Sequence, residues 1–257
     1  MTLSAAAAAG GVDAALARLL PTRPALTVLS GPQGADAAEH ASAGPELLRR
    51  TAARGKGSWL RCYSPPPTAA FSAKDRSAPG YDDAREAARR LGFTPVQRGR
   101  GGRMAAYHRA CLCLDLVLAE NVAPDPWVGL EALAQVLVLV LRESGVDARV
   151  GPVPGEYCPG RFSVNNGGVF KLGGTAARRV PGATLLSAMV VVDDPAPIRD
   201  VVAQVYRVLP LSCDPDTVGA VADAAPGLDV SALTEVLLDT LTRRVEVTTA
   251  SPLAVSA

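Results

Sequence analysis

Aromatic side chains make up only 4% of this chain, and histidine occurs twice. A core built from such a sequence must be aliphatic, filled by Ala, Val and Leu rather than by rings. An excess of charge of one sign is also missing: 26 Lys and Arg stand against 25 Asp and Glu, a net charge of +1. That balance gives no general electrostatic case for binding nucleic acid or a membrane surface. No apolar run is long enough to span a bilayer. The first residues lack a basic region and place Asp13 early, which argues against a secretory signal. The expectation is a soluble, cytoplasmic protein. The five cysteines, Cys62, Cys111, Cys113, Cys158 and Cys213, form no C-x-x-C pair and have no histidines at zinc spacing, so no metal site is expected. Cys111 and Cys113 alternate on one face of CLCLDLVLA and read as buried, reduced thiols, which fits a reducing compartment.

What is present suits one large domain: 48% apolar and 20% charged residues over 257 positions. Residues 1–24 are alanine-rich and low in complexity and are expected to form a tail outside the core, with at most a frayed helix over residues 12–20. Residues 25–245 are expected to form the domain, and residues 246–257 a C-terminal tail. Patterning predicts strands at 25–29, 59–63, 93–97, 110–119, 148–153 and 185–192, with a hairpin over 162–172 turning near Asn165-Asn166-Gly167-Gly168. Helices are predicted at 37–54 (interrupted at Gly44-Pro45), 82–91, 127–144, 197–208, 214–222 and 230–243. Hairpins mixed with crossover helices argue for an α+β fold with a mixed, largely antiparallel sheet flanked by helices.

Two segments concentrate chemistry. In GEYCPGRFSVNNGGVFKLGGTA, Lys171 stands between the hairpin and an apparent small-residue turn, Gly173-Gly174-Thr175-Ala176. A compact ammonium beside glycine amides suits a phosphate or an activated carboxylate. Read alone, K-x-x-G-T-A equally fits a tight turn with Lys171 solvated. The second segment, RGRGGRMAAYH, ends at His108 and precedes an apolar strand.

Together the segments resemble the lipoate–protein ligase, octanoyltransferase and biotin–protein ligase superfamily, nearest its lipoate–protein ligase branch. Arg100, Gly101, Gly102, Tyr107 and His108 match that family's first block, Gly160 and Arg161 its second, and Lys171, Gly174, Thr175 and Ala176 its third. The resemblance spans roughly residues 38–223 and implies a class II synthetase-like catalytic domain. It implies a ligase that activates lipoate or octanoate with ATP as an acyl-adenylate, with Mg2+ held mainly by the nucleotide. The acyl group would pass to a lysine of a lipoyl carrier domain in a dehydrogenase complex or of a glycine-cleavage-type H protein.

In that reading Lys171 reaches acyl oxygen and phosphate while facing the ligand, so Lys171→Ala should leave the fold intact. Arg100 steers an oxyanion, Gly101 and Gly102 close the loop, Thr175 and Ala176 line the site, and the Gly173 and Gly174 amides contact the adenylate. His108 reads as a packed histidine lining the acyl pocket. Arg103, in a position where glycine is usual in the family, either adds a phosphate contact or narrows the site. Met104, Arg109, Phe162 and Gly182 also depart from the family pattern. The competing enzyme reading is an ATP-independent transferase taking octanoyl from acyl carrier protein as a thioester on Cys158, with Cys213 a looser candidate. A third is a binding module, or a ligase needing a separate accessory domain.

Overall fold

The computed structural model describes residues 5–29, 36–99, 101–243 and 245–251. The chain opens with α1 (Ala5–Leu19), β1 (Leu26–Leu29), α2 (Ala37–Arg54) and β2 (Ser58–Tyr63). A small layer follows: β3 (Thr68–Phe71), α3 (Ala73–Arg76), α4 (Tyr81–Arg90), β4 (Thr94–Gln97) and β5 (Ala105–Tyr107). The long strand β6 (Cys111–Ala119) leads to α5 (Pro126–Glu143), β7 (Ala148–Val150), β8 (Val164–Asn166), β9 (Phe170–Val180) and β10 (Ala183–Val191). Helices α6 (Ala196–Val208) and α7 (Val230–Thr242) and strand β11 (Val247–Ala250) complete it.

An eight-stranded sheet runs in the order β11-β1-β2-β6-β10-β9-β8-β7, and a three-stranded sheet in the order β4-β3-β5. In the large sheet only β1 pairs in parallel, with β11 and with β2; the other pairings are antiparallel. The fold is thus the mixed, largely antiparallel α+β architecture expected. Leu112, Leu114, Leu116 and Leu118 of β6 face α1, α5 and α7 in the main core, which is aliphatic as the lack of rings requires. Cys113, Asp115 and Val117 alternate onto the opposite face, where Val117 packs with Leu47 and Leu48 of α2. That opposite face, partly roofed by the small layer, is where the site forms. Among the described residues no helix is long and apolar enough to cross a membrane.

Several expectations are corrected. The alanine-rich N-terminus is not outside the core: Val12, Ala15, Leu16 and Leu19 of α1 are buried against α5. Low complexity hid an ordinary helical stripe whose spacing brings those four onto one face. Residues 247–250 are not a tail, because β11 extends the sheet edge beside β1. Helix α2 runs through Gly44-Pro45 without interruption. Pro45 removes one internal hydrogen bond, and burial of Leu47, Leu48 and Thr51 offsets that loss. Residues 214–222 form no α-helix, only the short 3-10 turns Pro215–Thr217 and Val221–Asp223.

The correction that matters most for the site concerns Gly173-Gly174-Thr175-Ala176. This is no turn but the middle of β9, paired residue by residue with β10. A Cβ built at Gly173 would sit 2.0 Å from the Met189 carbonyl oxygen, so glycine here serves close strand approach.

Candidate active site

The site is organised by the loop between β7 and β8. Its centre is a buried carboxylate, Glu156, that composition and motif matching had not singled out. Glu156 accepts hydrogen bonds from the Val153 amide (3.0 Å), the Gly160 amide (3.1 Å) and the Ser163 hydroxyl (2.6 Å). Lys171 Nζ lies 3.2 Å from the same carboxylate, and the two side chains are 4% and 0% exposed. An unpaired carboxylate at that depth would be strongly disfavoured, so the loop folds around the pair.

Lys171 Nζ also donates to the carbonyl oxygens of Tyr157 (2.8 Å) and Cys158 (3.0 Å). An ammonium has three donors, and here each has an acceptor. Burial lowers the Lys171 pKa, with Glu156 acting in the opposite sense. The expected lysine facing a ligand is therefore a lysine on the cleft wall whose donors hold the loop that carries Cys158.

Cys158 sits at φ +42°, a left-handed conformation that costs a non-glycine residue roughly 1–2 kcal/mol. The neighbours over-determine it. Its amide donates to Tyr206 Oη (2.8 Å), which donates in turn to the Met104 carbonyl (2.9 Å), and Lys171 grips its carbonyl. The thiol faces donors: the Arg103 amide at 3.2 Å and Arg98 Nη2 at 3.4 Å. Arg98 also donates to the Arg103 carbonyl, which ties the glycine-rich loop over the sulfur. Such donors suit an oxyanion formed beside the sulfur.

Two clefts meet at this thiol. The inner one is floored by Tyr63, Cys113, Met189 and Gly174 and walled by Tyr107 and Ser187. The outer one opens past Trp127, Phe162 and Arg161. Arg98, Cys158, Gly160, Thr175 and Ala176 line both. A sulfur at the junction of an inner slot and an open mouth can hold a group in one and meet a second reactant through the other.

The remaining expected residues divide. Gly101 and Gly102 line the outer cleft, Gly174 the inner, and Thr175 and Ala176 both. Arg100 lies outside the described residues. Arg103 lines neither cleft; its guanidinium turns to Asp75 (3.6 Å), and its amide serves Cys158. His108 is packed but lines neither cleft. Its Nδ1 accepts from the Ala110 amide (3.0 Å), which leaves Nε2 to donate to the Asp194 carbonyl (2.9 Å). The Gly173 amide lies in a strand buried by pairing with β10, not in an open turn. Cys213 lines neither cleft, and burial beside Asp214 raises its pKa. Arg98, not chosen from sequence, is the side chain that donates to the sulfur; its only signal was its place at the head of RGRGGRMAAYH.

Among the described residues no cluster of three His, Cys, Asp or Glu could hold a metal. The two described cations of the inner cleft are Arg98 and Lys171, and both are engaged as above.

No family model matches the chain. It is 28% identical over 152 residues to an octanoyl-[GcvH]:protein N-octanoyltransferase of Exiguobacterium sibiricum, covering 59% of this chain and 54% of that protein. A Bacillus velezensis protein of the same name is 24% identical over 177 residues, covering 68% and 61%. The chain thus spans about half the length of the curated relatives it matches. Among solved structures, a lipoate–protein ligase A bound with ATP superposes with TM-score 0.67 at 17% identity, over 90% of this chain and 88% of that one. A bipartite lipoate–protein ligase from Thermoplasma acidophilum, studied with its E2 lipoyl domain, gives 0.64 at 17% identity, over 89% and 86%. The fold is that of the lipoate–protein ligase structures, and the similarity to octanoyl-[GcvH]:protein N-octanoyltransferases is consistent with the superfamily that the motifs resemble.

Proposed function

We propose that the chain is an acyltransferase that holds an octanoyl or lipoyl group as a thioester on Cys158 and delivers it to a protein lysine. The observation that carries this reading is the Cys158 sulfur at the junction of two clefts, 3.2 Å from the Arg103 amide and 3.4 Å from Arg98. In the first half-reaction sulfur attacks the acyl carbonyl of the donor. The S–C bond forms, the bond to the donor's amine or thiol breaks, and the thiol proton leaves with that group. In the second, the acceptor lysine's neutral amine attacks the thioester. The amide C–N bond forms, the S–C bond breaks, and the amine's proton returns to sulfur. No nucleotide is consumed.

Each described group has a task in this scheme. The Arg98 and Arg103 donors beside the sulfur stabilise the developing oxyanion, which is where fixed dipoles act most strongly. Lys171 and Glu156 are positioning residues: they hold the Cys158 carbonyl and so the strained backbone that presents the thiol. The inner cleft takes the acyl chain and the outer cleft admits the protein substrate. The names of the relatives, which transfer octanoyl from GcvH to protein, and the E2 lipoyl domain of the Thermoplasma ligase support lipoyl carrier domains as donor and acceptor.

An adenylate-forming ligase is the second reading, favoured by the K-x-x-G-T-A motif and by Lys171 on the cleft wall. Intact-mass measurement of the chain and a lipoyl-domain acceptor separates the two. An octanoyl adduct on the chain from an octanoyl-carrier protein without ATP, absent in Cys158→Ser, is the expected result. Acceptor modification that requires octanoate and ATP, and that survives Cys158→Ser, would overturn it.

A further inference from the structure

We infer that the inner cleft contains a polar subsite at Ser187 that selects acyl chains carrying a hydroxyl or thiol donor. The sheet register places two rows of side chains on the cleft face. Tyr63, Cys113, Met189 and Gly174 stand opposite one another on β2, β6, β10 and β9, and Arg61, Asp115, Ser187 and Ala176 form the next row. The first row is the cleft floor. The second is an ion pair capped by a hydroxyl: Arg61 Nη1 lies 3.1 Å from Asp115 Oδ2, and Ser187 Oγ donates to Asp115 Oδ1 at 2.5 Å.

The Arg61 and Asp115 side chains are 1% and 0% exposed. Arg61 is fixed further by the His40 carbonyl (3.2 Å) and by the Tyr63 ring, whose centroid lies 3.8 Å from the guanidinium carbon. A buried ion pair contributes little net stability against apolar residues of the same volume. Its effect here is on Ser187, the member of the trio that lines the cleft. A carboxylate oxygen only accepts, so the Ser187 proton is committed to Asp115 and the hydroxyl presents lone pairs alone to the cleft.

An unsubstituted alkyl chain gives those lone pairs no partner, whereas a hydroxyl or thiol supplies a donor. In strand order from Cys158, which borders β9, an incoming chain crosses Ser187 on β10 before it reaches Tyr63 on β2. The donor therefore belongs along the chain rather than at its far end. The direction of the chain rests on the thioester reading above, whereas the selectivity does not.

The test is direct binding, by calorimetry on the full chain, of octanoic acid against its positional hydroxy and mercapto derivatives. At least one derivative is expected to bind about tenfold more tightly than octanoic acid. Ser187→Ala is expected to bring that ratio to about one. Equal or weaker binding of every derivative by the unsubstituted chain overturns the inference, with no reliance on a variant folding. Acylation of Cys158, followed by mass on the same samples, separates the two ideas: selectivity without any adduct faults the thioester reading and leaves the subsite standing.

Discussion

The glycine-rich loop makes a sharp prediction at Gly102. This residue has φ +93°, and a Cβ built on it would lie 2.6 Å from Arg98 Nη2 and 2.9 Å from Cys158 Sγ. Arg98 can swing its tip aside, but the sulfur is only two bonds from a left-handed Cα, and yielding to the new Cβ disturbs its contact with the Arg103 amide. Gly102→Ala should therefore act twice. Adopting positive φ costs about 1–2 kcal/mol, a fall in Tm of roughly 2–8 °C for a chain of this size. Losing the Arg98 and Arg103 donors removes two hydrogen bonds to the sulfur, together about 1–3 kcal/mol, and should change the Cys158 alkylation rate by roughly five- to hundredfold. The assay is alkylation by iodoacetamide near neutral pH, with rates read at the Cys158 peptide. Cys111, fully buried, reports global opening in the same digest. Gly101→Ala is the comparator, because a Cβ there meets nothing within 4 Å, and its alkylation rate should stay within about twofold. A folded Gly102→Ala chain that alkylates at the rate of the parent would refute the account of this loop.

Two further outcomes follow from the buried groups. Lys171→Ala leaves Glu156 buried without its counter-charge and should destabilise the chain by about 3–5 kcal/mol, measured by urea unfolding. Adding Glu156→Gln should restore part of the loss; a Lys171→Ala chain as stable as the parent would show that the pair does not hold the loop. Burial pushes the Cys111 thiol up from 9.0 to about 12 in the folded chain. Between those values the unfolded chain releases a proton that the folded chain keeps, so stability falls as pH rises, by about 1.4 kcal/mol per pH unit from this thiol. Cys111→Ala should flatten that part of the alkaline limb in urea titrations at stepped pH, and an unchanged slope would contradict the burial argument.

Much of the scaffold was legible because period and punctuation agreed. CLCLDLVLA reads as a strand by alternation and is one, and Asp125-Pro126 does start α5, with Asp125 capping the Trp127 and Val128 amides. The failures share a physical cause, which is that tertiary partners override local signals. Gly173 looks like part of a turn until the Met189 carbonyl is known to need the room, and α1 looks frayed until α5 is known to cover it.

The site shows the same limit at the level of single donors. The residue types around Lys171 pointed to one cleft, since Cys158, Gly160, Gly174, Thr175 and Ala176 all line it. What a residue type cannot convey is how its hydrogen bonds are spent. Lys171 reads as a cation available to a ligand, yet Glu156, Tyr157 and Cys158 take its three donors. Cys158 reads as a loop thiol, yet its left-handed backbone, the Arg103 amide and Arg98 set it apart from the four other cysteines. In the proposed transferase reading those donors make Lys171 the support of Cys158 rather than a ligand for the substrate. A variant that keeps Lys171 but frees the Cys158 carbonyl from it is therefore the sharper probe of reactivity than removal of the lysine, which also unpairs Glu156 and confounds chemistry with folding.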